Sequence, residues 1–441
     1  MTLSSIYRKV GYGEVLLWNT SRKKMQAVGN LKRRGYKSLP LRRVYIPKRN
    51  GSKRALHIPC MQDRAMQTLY LLALEPVAEQ NADPNSYGFR KARSIQDAHE
   101  QCFNVLAPRR SATWILDADI DACFDKIDHS WLIEHIPMDK RMLSQWLKVG
   151  YFDGNMFHPT QEGTPQGGSV SPSLANMTLD GLEESVRSAV PRRRKGELNP
   201  KVNFIRYADD LMVTASSREI LEEIVTPAIA AFLEQRGLHL SKEKTRIVHI
   251  EEGFDFLGAH VRKYNGRLLI RPQKANVKGL IRKVREFLQR NRGAKTEALI
   301  HQLNPILRGW AYQFRHLVAS KTFQYIDHCI FRQLWRWARR RHTNKSASWV
   351  KNRYFTTQGN HRWVFSTRQV RADGKSQTIV LFRMSSLQIR RHTKIRSEAR
   401  FHDPKYTGYF KQRQQRRNRK GNEDVRQDQG FRQLELDFEH F

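Results

Sequence analysis

Two acidic segments stand out in a chain whose formal net charge is +37: WILDADIDACFDKIDH (114–129), with Asp117, Asp119, Asp121, Asp125 and Asp128, and FIRYADDLMV (204–213), with Asp209 beside Asp210. Two carboxylates about 4 Å apart repel by roughly 4 kcal/mol at an effective dielectric of 20, so gathering them requires a neutralising cation. With no His or Cys paired to them, oxygen donors suit a hard ion, Mg²⁺ before Zn²⁺. Two such ions held by carboxylates are the usual machinery of in-line phosphoryl transfer. A lone Asp-Asp is equally the mark of a solvated turn. Between the two segments, however, runs GTPQGGSVSPS (163–173), whose glycines let backbone approach a ligand, with Ser171 as N-cap and Pro172 at the first helical position.

These residues need strands to hold them. Asp209 and Asp210 at a hairpin tip cannot both face one way, because strand neighbours alternate; one aims inward and the other stays at the rim. A strand over WILDADID puts Asp117, Asp119 and Asp121 on one side. Upstream, LPLRRVYIPKRNGSKRALHIP (39–59) carries two β-rich runs around the turn residues Asn50 and Gly51. Residues 63–79 show helical spacing through Met66, Leu69, Tyr70, Leu74 and Val77, and GFDFLGAHV (253–261) reads as a strand or hairpin arm. Strands and helices mixed in this way predict an α+β core. After Lys263 the texture turns helical, basic and aromatic. In FQYIDHCIFRQLWRWARRRH (323–342), Ile326, Ile330, Leu334 and Trp337 form one stripe, leaving Arg332, Arg336, Arg339 and Arg340 for solvent or phosphate. In LRGWAYQFRH (307–316), Trp310, Tyr312 and Phe314 interleave with Arg308 and Arg315, as either core or base-stacking platforms.

Seventy-nine Lys and Arg against 42 Asp and Glu point to a polyanionic partner, nucleic acid first and an anionic membrane surface second. The 441 residues are 39% hydrophobic, enough for two or three packed domains. Cys60, Cys102, Cys123 and Cys329 lie far apart and form no zinc-ligand spacing, which fits reduced thiols in a cytosolic protein. No run of about 18 apolar residues is present. An organellar transit peptide is the alternative reading of the Arg- and Ser-containing first sixty residues, which otherwise form a nucleic-acid-binding arm. Between Arg390 and Lys420, twelve Lys and Arg against two acids suggest a basic, mobile arm.

The chain resembles the group II intron-encoded reverse transcriptase/maturase family from about Leu39 to Phe410. The motifs that carry the resemblance are PLRRVYIPKRNGSKR, NSYGFRKARS, DADIDACFD, GTPQGGSVSP, RYADD, LHLSKEKTRI, FDFLGAHV, LRGWAYQFRH and HDPKYTGYF. The resemblance implies a right hand of fingers and palm (39–262), a helical thumb/maturase domain (263–395), a short basic N-terminal extension (1–38) and a basic tail without endonuclease (396–441). It assigns Asp119, Asp209 and Asp210 to a site for two Mg²⁺ ions, with the Ile120 carbonyl as a further ligand. Phe124 matches the bulky gate against a ribose 2′-hydroxyl. Lys48 and Arg54 match triphosphate contacts, Gln166 and Gly167 the loop near the nascent pair, and Lys244 the acid toward leaving pyrophosphate. Arg308, Arg315, Arg332, Arg336, Arg339 and Arg340 are expected to face RNA.

The implied activity is RNA-directed DNA polymerisation from dNTPs, on an RNA template with a DNA primer or target, and assistance to intron RNA splicing. A splicing cofactor with secondary or lost polymerase activity and an intron-independent reverse transcriptase used in repair or defence are the alternatives. The expected location is the bacterial cytoplasm, with the nucleoid and without a membrane. Nothing in the sequence chooses between monomer and homodimer.

Overall fold

The computed structural model describes residues 20–47, 51, 53–191, 199–358, 361–370 and 376–427. The chain forms two compact units, one of residues 1–249 with 394–410, the other of residues 250–393 with 411–441.

In the first unit, β1 (Leu41–Pro47) and β2 (Lys53–Ile58) form the expected hairpin, with Pro47 opposite Lys53. Gly51 has a φ of +86°, which a tight turn there requires and which Gly tolerates without a Cβ clash; Asn50 lies outside the described residues. A second sheet contains β3 (Trp114–Asp119). Strands β4 (Tyr151–Asp153) and β5 (Met156–His158) extend the first sheet in the order β2-β1-β4-β5. Then come β6 (Asn203–Tyr207), β7 (Asp210–Ala215) and β8 (Arg246–His249), and the second sheet runs β6-β7-β3-β8 with every neighbour antiparallel.

The interior strand β7 is buried along nearly its whole length, so DLMVTA reads as an apolar run and not as an alternation. Leu116, Ala118, Leu211 and Val213 join Leu174, Leu182, Val186 and Ile229 from the covering helices in one core. That rigid sheet is what holds the acidic residues. In helix Met61–Asn81, Met66 and Leu74 are buried, whereas Leu69 and Val77 remain at the surface. Helix Ser171–Leu179 begins one residue earlier than a Ser171 cap requires: Val170 is the cap residue and no side chain caps it. A Cβ added to Gly168 would lie 2.8 Å from Ser171 Oγ, so the hydroxyl is packed beneath the glycine loop.

The basic segment 394–410 is not a loose arm. Ile395 and Ala399 are buried, and the Ile395 amide donates to Asp97 Oδ1 at 2.7 Å. Arg93 donates to the carbonyls of Ser397 and Ala399, and Arg400 to those of Glu79 and Ala82 at the end of helix Met61–Asn81. Charge composition suggested mobility; those guanidinium groups instead satisfy helix-end and loop carbonyls.

The second unit opens with β9 (Phe254–Phe256), β10 (Ala259–Tyr264) and β11 (Arg267–Pro272), an antiparallel meander. Helices Lys274–Arg290, Thr296–Phe314, Ser320–Arg341 and Ala347–Tyr354 follow. The predicted stripe of Ile326, Ile330, Leu334 and Trp337 is buried. A three-stranded sheet, β12 (Phe355–Gln358), β13 (His361–Val370) and β14 (Ser376–Val380), was not expected in a helical region. Basic and polar residues dilute its β-rich alternation. Among the described residues, no helix is long and apolar enough to cross a membrane.

Candidate active site

Strands β6 and β7 close through the two-residue turn Ala208–Asp209, since Tyr207 pairs with Asp210. Ala208 takes a φ of +56°, as a tight two-residue hairpin demands. On the other side of β7, Asp210 pairs directly with Asp119, the last residue of β3, and the Ile120 amide donates to the Asp209 carbonyl at 3.2 Å. Register therefore converts two segments some ninety positions apart into one group of three carboxylates.

Their electrostatics record the crowding. Burial, followed by the charges of Asp209, Asp119 and Asp117, pushes Asp210 up to about 7. Burial also raises Asp209, with Asp119 adding to the effect and Lys244 and Arg54 opposing it. Lys244 Nζ donates to Asp119 Oδ1 at 2.9 Å, and that bond raises its own pKa. Lys244 is positioned by its loop: the Ser241 amide donates to the Asp119 carbonyl at 2.8 Å, and the Lys244 amide to the Ser241 carbonyl. Asp121 does not continue the strand. It turns outward to Lys126 at 2.6 Å, while Asp117 pairs with Arg246.

Three carboxylates with one direct cation bond, from Lys244 to Asp119, are short of positive charge, and their oxygen donors fit a hard divalent cation. Among the described residues, no three acidic, His or Cys groups yet converge as a ready-made metal cage.

Around this centre, Phe124 lies half-buried on the short helix Cys123–Lys126, edge-on to Phe89 at 6.1 Å. The glycine loop is wedged between that helix and β2. Thr164 donates to the Phe124 carbonyl, Gln166 Nε2 to Asp125 Oδ2 at 3.0 Å, and the His57 amide to the Gln166 carbonyl at 2.9 Å. Gly167 has a φ of +138°, and a Cβ there would lie 2.8 Å from the His57 carbonyl oxygen, so no side chain fits. Arg54 is exposed on β2, with its charge felt at Asp209. Lys48 lies outside the described residues.

In the second unit, Arg332, Arg336, Arg339 and Arg340 are exposed along helix Ser320–Arg341. Arg308 and Arg315 are turned to their own unit: Arg308 stacks 4.6 Å over Phe382, and Arg315 lies over Tyr312 and donates to the Gln388 carbonyl. Trp310 is half-buried and packs against the buried Phe314 at 4.6 Å and Phe323 at 6.1 Å.

Sequence reasoning missed the support beneath the turn. Arg206 is fully buried, donating to Asp180 Oδ1 at 2.5 Å and to Asn176 Oδ1 at 3.3 Å. Asn176 in turn donates to the Gly88 carbonyl at 2.8 Å. Backbone bonds from Arg206 to Asn85 and from Tyr87 to Arg206 lay the segment 85–87 along β6. Gly88 then sits against the turn, where a Cβ would meet the Ala208 amide nitrogen at 2.5 Å. The glycine in NSYGFRKARS was the available signal.

A family model for reverse transcriptase (RNA-dependent DNA polymerase) matches residues 46–261, and one for the group II intron maturase-specific domain matches residues 277–355. Protein YkfC of Escherichia coli (strain K12) is 31% identical over 254 residues, 51% of this chain and 67% of that protein. The group II intron-encoded protein LtrA of Lactococcus lactis subsp. cremoris is 28% identical over 331 residues, 59% of this chain and 55% of its own length. The retron Mx65 reverse transcriptase of Myxococcus xanthus is 26% identical, with 46% of each chain covered. The chain thus spans about half the length of the latter two relatives.

Proposed function

This chain belongs to the group II intron-type reverse transcriptase/maturase family, and from that premise we propose that it is an RNA-directed DNA polymerase acting through Asp119, Asp209 and Asp210. The observation that carries the reading is the β3–β7 register, which sets Asp119 beside Asp210 with Asp209 in the adjoining turn. Mg²⁺ held by these carboxylates, and by the Ile120 carbonyl, would supply the positive charge that the attacking and leaving oxygens of nucleotidyl transfer require. The residues of the chain do the rest. Arg54, with Lys48, binds the triphosphate of the incoming dNTP. Phe124 bars a ribose 2′-hydroxyl, and Gln166 and Gly167 keep backbone close to the nascent pair. Lys244, already protonated at Asp119, is a proton source for departing pyrophosphate.

The maturase-specific match favours a second role, in which exposed arginines of helix Ser320–Arg341 hold intron RNA. Net charge supports association with nucleic acid.

Primer extension on an RNA template with dNTPs and Mg²⁺ tests the reading. Asp209→Asn should lower extension by about a thousandfold or more, a loss of the size seen when a principal transition-state contact is removed, while RNA affinity is kept. Full activity in that variant would refute the assignment.

A further inference from the structure

In the second unit, a cleft of about 520 Å³ opens between helix Ser320–Arg341, strand β13 and the residues after β14. Phe331, Phe355, Trp363 and Phe382 supply its apolar walls, and Arg362 and Arg383 its charge. Among the described residues the one acid on the wall, Asp327, is turned to backbone, accepting from the Met384 and Ser385 amides at 3.0 and 2.9 Å.

Trp363 is the unusual member. It is 40% exposed and has a φ of +62°, where a bulge shifts the β12–β13 register between Thr356 and Gln358 and re-aims the side chain. Phe331, Trp335 and Phe355 surround it with centroids at 6.0, 5.6 and 6.0 Å, and Lys351 Nζ lies 4.9 Å above its ring. Arg332 and Arg336 emerge exposed from the helix that forms one wall.

We propose that this cleft receives an unpaired nucleobase of single-stranded RNA, stacked on Trp363 with the Phe331 ring perpendicular at its edge, and with Arg362, Lys351 and the neighbouring arginines on its flanking phosphates. Aromatic faces with a cationic rim are the chemistry of single-stranded nucleic acid, because every base offers a π-face and every linkage a negative charge. An apolar peptide would have no use for the rim, and a duplex has no free base face to insert. The inference rests on the reading of this unit as RNA-binding.

The test uses the full chain, a fluorescein-labelled single-stranded oligoribonucleotide and the same sequence as a blunt duplex. Trp363→Ala and Phe331→Ala should each weaken single-strand binding about five- to hundredfold and leave duplex binding unchanged, whereas Trp363→Tyr retains it. Equal losses on both probes, or no loss, would overturn the proposal. So would displacement of the strand by 5′-AMP at concentrations near that of the protein, which would make the site one for free nucleotide. Photocrosslinking of the wild type with 4-thiouridine RNA needs no variant; adducts should fall within residues 324–385, and their absence there also overturns it. Primer extension by the same preparations separates the two readings: lost extension with intact crosslinking counts against the polymerase alone.

Discussion

Two clusters of charge lie close together in the first unit, and the chain treats them oppositely. Around Arg206, buried charges are set directly against opposite ones. Arg206 pairs with Asp180 and Arg90 grips Glu79 with two parallel bonds at 2.7 and 2.8 Å, all four side chains being buried. Around Asp210, Lys244 bonds to Asp119 alone and is itself largely solvent-facing, which leaves Asp209 and Asp210 with no directly bonded cation among the described residues. Paired buried charges confer geometry, since moving one partner strands the other. Uncompensated ones retain affinity for something outside the chain, and active sites are where such imbalance collects. The balanced cluster therefore serves as the footing for the unbalanced one: Arg206 belongs to the strand that leads directly into Ala208 and Asp209.

The contrast can be broken from its balanced side first. Arg206→Met should cost about 3–5 kcal/mol in chemical denaturation, because it leaves Asp180 without its partner. Burial already holds Asp180 at about 6 even against Arg206, so in the variant it will be neutral in mild acid. The penalty should then be smaller at acidic than at alkaline pH; a penalty independent of pH would show that Asp180 is not the stranded charge.

Gly88→Ala tests whether the footing reaches the site. A Cβ at 2.5 Å from the Ala208 amide forces the turn to move, at about 1–3 kcal/mol for overpacking. Primer extension should fall well beyond the loss of folded protein, and unchanged extension would uncouple the two clusters.

The smallest expected effect sharpens the unbalanced side. Asp210 is raised from the usual carboxylate range to about 7, so its protonated form is favoured by folding. Its contribution is present in acid, below the unfolded carboxylate range, and lost as pH rises towards and through about 7. Asp210→Asn should therefore stabilise the metal-free protein at alkaline pH and have almost no effect in acid. Thermal melts at both pH values, repeated with Mg²⁺, check this. Added Mg²⁺ should stabilise the wild type and have little effect on the variant; stabilisation of both alike would argue that Asp210 does not share in cation binding.

How much of this was open to a reader of residues alone differs from segment to segment. Asp119 and Asp209 were legible because paired acids beside apolar β-rich runs are costly and rare. Strand alternation left open which of Asp209 and Asp210 aims inward; in the structure, antiparallel pairing puts Asp210 beside Asp119 and makes it the more strongly perturbed of the hairpin pair. The docked segment 394–410 was missed because composition assigns its Arg and Lys to solvent, whereas in the fold Arg400 spends its donors on carbonyls far away in sequence. The β12–β14 sheet was missed because Thr, Gln and Ser interrupt its apolar residues.

Local pattern, then, announces which residue types are present and how each segment prefers to fold, because side-chain period and turn chemistry act over a few residues. The alignment of Asp119 with Asp210, the glycine lodged under Ala208 and the left-handed Trp363 beside an open cleft belong to the tertiary structure. They depend on register and packing between segments distant along the chain, and no short-range rule carries that information.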